Sequence, residues 1–158
     1  MTTVEISIAG RGEADAPLLG DLIDQIQDFF AMLYGVAETL TGEVVQQFDW
    51  RVVALSKNSP ARIIVEAVPL PGHADGAEIA ARARDLTTGG LRQLAAGQGR
   101  PIYFNDNVID AADRFLSRNT KGLSETIVGS AEDPDSRVTI STPVAIATLQ
   151  HLAVLREA

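Results

Sequence analysis

The sequence predicts an α+β domain, ordered β-α-β-β-α-α-β-β-α, with helices packed on a mostly antiparallel sheet. Three observations carry that prediction. Short runs alternate apolar and polar residues with the period of a half-buried strand. Longer runs space their apolar residues three and four apart, as an amphipathic helix requires. Turn-forming clusters of a few residues join pairs of the alternating runs, a distance that permits hairpins but not parallel crossovers. At 158 residues, one core suffices, and residues 1–158 read as a single domain.

The first strand is residues 3–9, TVEISIA, with Val4, Ile6 and Ile8 on one face and Thr3, Glu5 and Ser7 on the other. Residues 10–17, GRGEADAP, form a loop in which Asp15 or Ala16 precedes Pro17, a residue suited to a first helical turn. From Pro17 to about Leu40, Leu19, Leu22, Ile23, Ile26, Phe30, Leu33, Ala37 and Leu40 follow helical spacing. Asp21, Asp24, Gln25 and Asp28 hold the other side, and the early aspartates suit the positive end of the helix dipole. Phe29, Met32, Tyr34 and Val36 widen the apolar face beyond one stripe. Such a helix has a second contact surface, either inside the fold or on another protein.

Residues 44–55 (VVQQFDWRVVAL) and 61–68 (ARIIVEAV) read as a hairpin around SKNSP at 56–60, where Lys57, Asn58, Ser59 and Pro60 are turn formers. Phe48, Trp50 and Val52 share one face, with Asp49 and Arg51 opposite. Pro69 and Pro71 end the second strand. A helix follows from about Asp75 to Ala96, and Thr87-Thr88-Gly89-Gly90 predicts a kink or break in its middle. After a turn at 97–101, Asn105 or Asp106 caps a short helix to about Arg118, with Val108, Ile109, Ala112, Phe115 and Leu116 inside. Leu123–Ser130 and Arg137–Ser141 form a second hairpin around AEDPD at 131–135. Thr142-Pro143 opens a last helix that runs to the chain end without a capping signal, as a frayed end or a cut from a longer protein would.

Composition narrows the function. The chain has no cysteine and two histidines, His73 and His151, so it is poor in nucleophiles, metal ligands and neutral-pH bases. Lack of cysteine suits a reducing compartment, the N-terminus carries no signal pattern, and no apolar run approaches a membrane span, so the expected location is cytoplasmic, with no membrane partner. A net charge of −8 argues against nucleic acid, although Arg51, Lys57 and Arg62 on the first hairpin would be its contacts.

No local motif supplies chemistry. Gly10-Arg11-Gly12 sits where a dinucleotide fingerprint would, but Asp15 replaces the third glycine, and Glu13 and Asp15 would repel a pyrophosphate. Asp106, Asp110 and Asp113 share a helix face and would need ligands from a second element to hold a cation; the simpler reading is a cap and a wet face. Glu132, Asp133 and Asp135 read as a solvated hairpin tip. His73 and His151 lack the neighbours of a triad or zinc site, so no catalytic residue, metal ligand or cofactor is assigned.

FDWRVVALSKNSPARIIVEA (48–67) and GLRQLAAGQGRPIYFNDNVIDAADRFL (90–116) together resemble a loosely defined group of uncharacterised bacterial proteins. These share an aromatic-rich strand, an SxxSP-like turn, a return strand, a GLxxL helix and a short P…F… helix. Longer members continue into a small β-barrel resembling an OB-fold, and this chain stops before it. The resemblance implies the same element order and a bacterial, cytoplasmic setting.

Scarce chemistry and surplus apolar surface lead to one expectation: a non-catalytic protein-interaction or adaptor domain, within a larger bacterial assembly or as a homo-oligomer. Its expected contacts are Phe29, Tyr34, Val36, Trp50 and Arg51, since aromatics and arginine are over-represented at interfaces. The alternative is a small-molecule or ion-binding enzyme using carboxylates and arginines, with Asp49, Arg51, Asp106 and Asp110 as its residues.

Overall fold

The alternation in TVEISIA builds the central strand of a five-stranded antiparallel sheet, ordered β2-β3-β1-β4-β5. The computed structural model describes residues 1–12, 16–57 and 60–157. The strands are β1 (Thr3–Gly10), β2 (Phe48–Ser56), β3 (Ala61–Pro69), β4 (Leu123–Gly129) and β5 (Val138–Ser141). The helices are α1 (Leu19–Thr41), α2 (Gly76–Ala95), α3 (Asp106–Arg118) and α4 (Thr142–Glu157). The order and the α+β class agree with the sequence. Among the described residues, no helix is long and apolar enough to cross a membrane.

Register explains which residues go inside. Val4 pairs with Val65, Ile6 with Ile63 and Val128, and Ile8 with Ala61 and Thr126, so these side chains share one face. The helices pack on that face, and Phe29, Met32, Leu33, Phe115 and Leu116 complete the core. The opposite face carries Arg51, Arg62, Glu66 and Glu125. Glu5 also lies on it, yet is only 4 % exposed, because Arg62 (2.8 Å) and Arg137 (3.2 Å) close over its carboxylate. Glu5 raises the pKa of the Arg62 guanidinium further, by its hydrogen bond and then its charge.

A buried polar knot joins α1 to α3. The Gln25 amide nitrogen donates to the Phe115 carbonyl (3.1 Å), Asn119 Oδ1 (2.9 Å) and Thr126 Oγ1 (3.1 Å). Its oxygen accepts from Arg118 (2.9 Å), which also pairs with Asp28 (2.6 Å). Helix α1 ends at Gly42, whose left-handed φ of 72° lets its N–H reach the Glu38 carbonyl.

Several boundaries differ from the sequence reading. β2 begins at Phe48 rather than Val44, and Val44 and Val45 are exposed. Helix α1 starts at Leu19, so Pro17 precedes the helix instead of entering its first turn. Helix α2 runs unbroken through Thr87-Thr88-Gly89-Gly90. Both threonine hydroxyls return to carbonyls of the preceding turn, and Gly90 is small because the Phe104 ring lies against it. Asn105, not Asp106, caps α3 by accepting from the Val108 N–H at 3.0 Å. Glu13, Asp15, Asn58 and Ser59 lie outside the described residues.

Candidate functional site

The inner face of β2 is covered along only half its length. Phe48 is buried, and Tyr34 from α1 stacks on it with ring centroids 5.1 Å apart. Trp50 is next and meets Phe30 of α1 at 5.4 Å. Beyond Trp50 the cover ends, leaving Val52, Val53 and Leu55 at 57 %, 46 % and 76 % exposure.

A β-bulge decides where those side chains go. Val52 pairs with Val65 and Leu55 with Ile63, both on the helix side, although three residues separate them. In a regular strand a three-residue step would put them on opposite faces. The bulge therefore turns two apolar residues toward α1. Between them lies a cavity of about 360 Å³, lined by Ile8, Leu22, Ile26, Leu55 and Ile63. Ile26 also lines a shallower groove along α1 with Ile23 and Phe30. Leu19, Ile23, Ile26 and Phe30 follow each other at four, three and four residues, which makes them one stripe on the helix. Leu18, Leu19 and Ile23 are half or more exposed.

The strand edge has two parts. β2 is terminal in the sheet, so one side of its backbone lacks a neighbouring strand. Near its start, Asp49 accepts the Trp50 N–H (2.8 Å) and Gln46 donates to the Phe48 carbonyl (2.9 Å). Such side-chain cover blunts an edge against further pairing. From Val52 to Leu55, among the described residues, nothing comparable does so.

The residues expected at an interface divide. Phe29 and Val36 are 0 % exposed and belong to the core, which corrects their assignment as contacts: reaching a partner would require unfolding α1. Tyr34 and Trp50 are half-buried in the aromatic cluster that closes one end of the groove. Burial pushes the Tyr34 phenol up to about 12; Asp49 adds to the shift, and the Trp50 indole N–H offsets part of it. That indole N–H lies close to the phenol but misses direct hydrogen-bond geometry, so it is buried without a partner. Arg51 is exposed on the far face of the sheet, 3.5 Å from Glu66.

Sequence reasoning missed Leu19, Ile23, Val52 and Leu55 as surface residues. Val52 and Leu55 belong to the apolar run VVAL at 52–55, which suits a strand with no solvent face and so gave no sign of exposure, and Leu19 and Ile23 continue the apolar spacing of α1.

The other candidates scatter. Asp49 and Arg51 are on β2, whereas Asp106 pairs with Arg100 (2.7 Å), and Asp110 and Asp113 both meet Arg156. His151 Nε2 accepts the Gly99 N–H at 3.1 Å and holds a turn. Arg11 of the glycine loop bonds the carbonyls of Lys121 and Asn119 and the Thr142 hydroxyl, so it fastens loops together. Among the described residues, no three His, Asp or Glu side chains gather as a metal would need. Compared with known proteins, the chain matches no family model, no curated protein and no solved structure.

Proposed function

We propose that this chain is a non-catalytic protein-interaction domain that docks a protein on the face formed by α1 and the edge of β2, within a larger bacterial assembly. One observation carries the reading. Among the described residues, the exposed Ile23 and Leu55 line the groove on α1 and the cavity beside β2, which share Ile26, and Leu18, Leu19, Val52 and Val53, their near neighbours in the chain, are also exposed. Scattered apolar residues on a surface need no explanation, but a contiguous patch beside an open strand edge does. The carboxylate–arginine alternative loses support, because its residues sit on separate elements and each is engaged locally.

The test is affinity capture from the host lysate with the tagged wild type and with an Ile23→Glu, Leu55→Glu variant. Both positions are at least half exposed, so the charges leave the core untouched. The expected result is a stoichiometric protein on the wild type that the variant loses. Equal capture by both contradicts the reading.

A further inference from the structure

We propose that His151 is a pH-sensitive latch on the connection between α2 and α3: the neutral ring holds the turn at Gly99 closed, and the protonated ring releases it.

The connection, residues 96–105, is neither helix nor strand, and it is anchored through one residue. Gly99 sits at a φ of 96°, and side chains from two helices hold its two backbone polar groups. Gln93 of α2 donates to its carbonyl at 3.3 Å, and His151 of α4 accepts its N–H at 3.1 Å. The two clasps differ in kind. An amide side chain keeps its hydrogen-bonding character between about pH 5 and 8, whereas an imidazole changes charge there.

The Gly99 N–H can only donate, so the ring nitrogen facing it carries a lone pair, and the neutral ring keeps its proton on Nδ1. A second proton goes to Nε2. It sets N–H against N–H, so the hydrogen bond is lost and two donors face each other. His151 is half-buried, so water reaches the ring without unfolding of α4.

No neighbouring charge offsets that loss. Among the described residues, no carboxylate lies within ion-pairing distance of the ring. The charged groups of the surrounding elements are committed elsewhere. Arg100 of the turn meets Asp106 and the Phe104 carbonyl, and Arg92 of α2 meets the carbonyls of Asp135 and Arg137. Arg156 of α4 holds Asp110 and Asp113 of α3, and Glu125 of β4 is on the far face of the sheet. Protonation therefore favours the open turn.

Opening is bounded by α2 on one side and by Phe104, 1 % exposed and seated against Gly90, on the other. Between them lies Ile102, which is 91 % exposed. Acid thus loosens the groove that Ile102 and Tyr103 form with Gly89 and Gln93 of α2, while the core stays packed.

Nuclear magnetic resonance of the full chain tests this at about pH 8 and about pH 5, on either side of the ordinary imidazole value of about 6.5. At the higher pH the His151 ring should carry its proton on Nδ1, and the Gly99 amide should be protected from exchange. At the lower pH that protection, corrected for the intrinsic rate, should fall roughly fivefold, the worth of one hydrogen bond. His73→Gln, which removes the other histidine, should behave as wild type. His151→Gln, whose side-chain oxygen accepts at both pH values, should keep Gly99 protected throughout. A His151 proton on Nε2 at the higher pH overturns the proposal, and so does equal protection of Gly99 at both pH values in wild type. So does a fall that persists in His151→Gln or vanishes in His73→Gln.

Discussion

The indole of Trp50 lies 5.4 Å from the ring of Phe30, and this contact marks the point where α1 stops covering β2. On one side of it the strand is core; on the other it is surface. Both residues therefore act as the wall of the groove as well as part of the aromatic cluster. Trp50→Ala and Phe30→Ala should each destabilise by about 2–3 kcal/mol, below the cost of a wholly buried aromatic because both are half-exposed. Their double variant should cost less than the sum, because each removes the other's contact. Urea unfolding of the three variants measures this.

The adjacent glycines of α2 should respond in opposite directions to alanine. A Cβ at Gly90 falls 2.4 Å from the Phe104 ring, whereas one at Gly89 meets nothing within 4 Å. Gly89→Ala should stabilise by about 0.5–1 kcal/mol, the helix-propensity gain. Gly90→Ala should lose about 1–3 kcal/mol through overpacking against Phe104. Thermal melts of the two variants give the comparison directly.

Gln25 should be intolerant of both an apolar and an acidic substitute. It is 0 % exposed and joins Phe115, Asn119, Thr126 and Arg118. Gln25→Leu strands these partners without water, at a cost of about 2–4 kcal/mol. Gln25→Glu keeps the shape but turns an acceptor toward the Phe115 carbonyl and Asn119 Oδ1, so it should not restore stability. Denaturant midpoints for the pair decide the matter.

How far the sequence reached can be read from these same places. Helix α1 was legible because its apolar spacing persists over six turns, and β1 because its alternation is strict. The kink expected at Thr87–Gly90 rested on local propensity, and the ring of Phe104, a contact from outside the helix, overrode it. Phe29 and Val36 could not be told from surface residues, because periodicity reports a face and not what covers it. The groove was illegible for a related reason. VVAL reads alike in a central strand and at an edge, and the bulge that turns Val52 and Leu55 the same way leaves no residue signature.

Alkaline pH should weaken the fold through Tyr34. Its phenol is raised from 10.0 to about 12, so the folded chain keeps its proton after the unfolded chain has lost it. The resulting stability is complete below pH 10 and is lost as pH rises to 12. Tyr34→Phe should flatten that part of the stability profile. In an ultraviolet phenolate titration, the variant should lack the component with a midpoint near 12.

The most direct test of the docking face is amide hydrogen exchange along β2, followed by nuclear magnetic resonance with and without the protein captured from the lysate. Protection at Val52, whose N–H lies on the same side of the strand as the edge-facing Trp50 N–H, should grow when that protein is bound, while Asp49 and Arg51, held in the β2–β3 ladder, stay unchanged. Exchange at Val52 that the bound protein leaves unchanged would contradict docking at this edge.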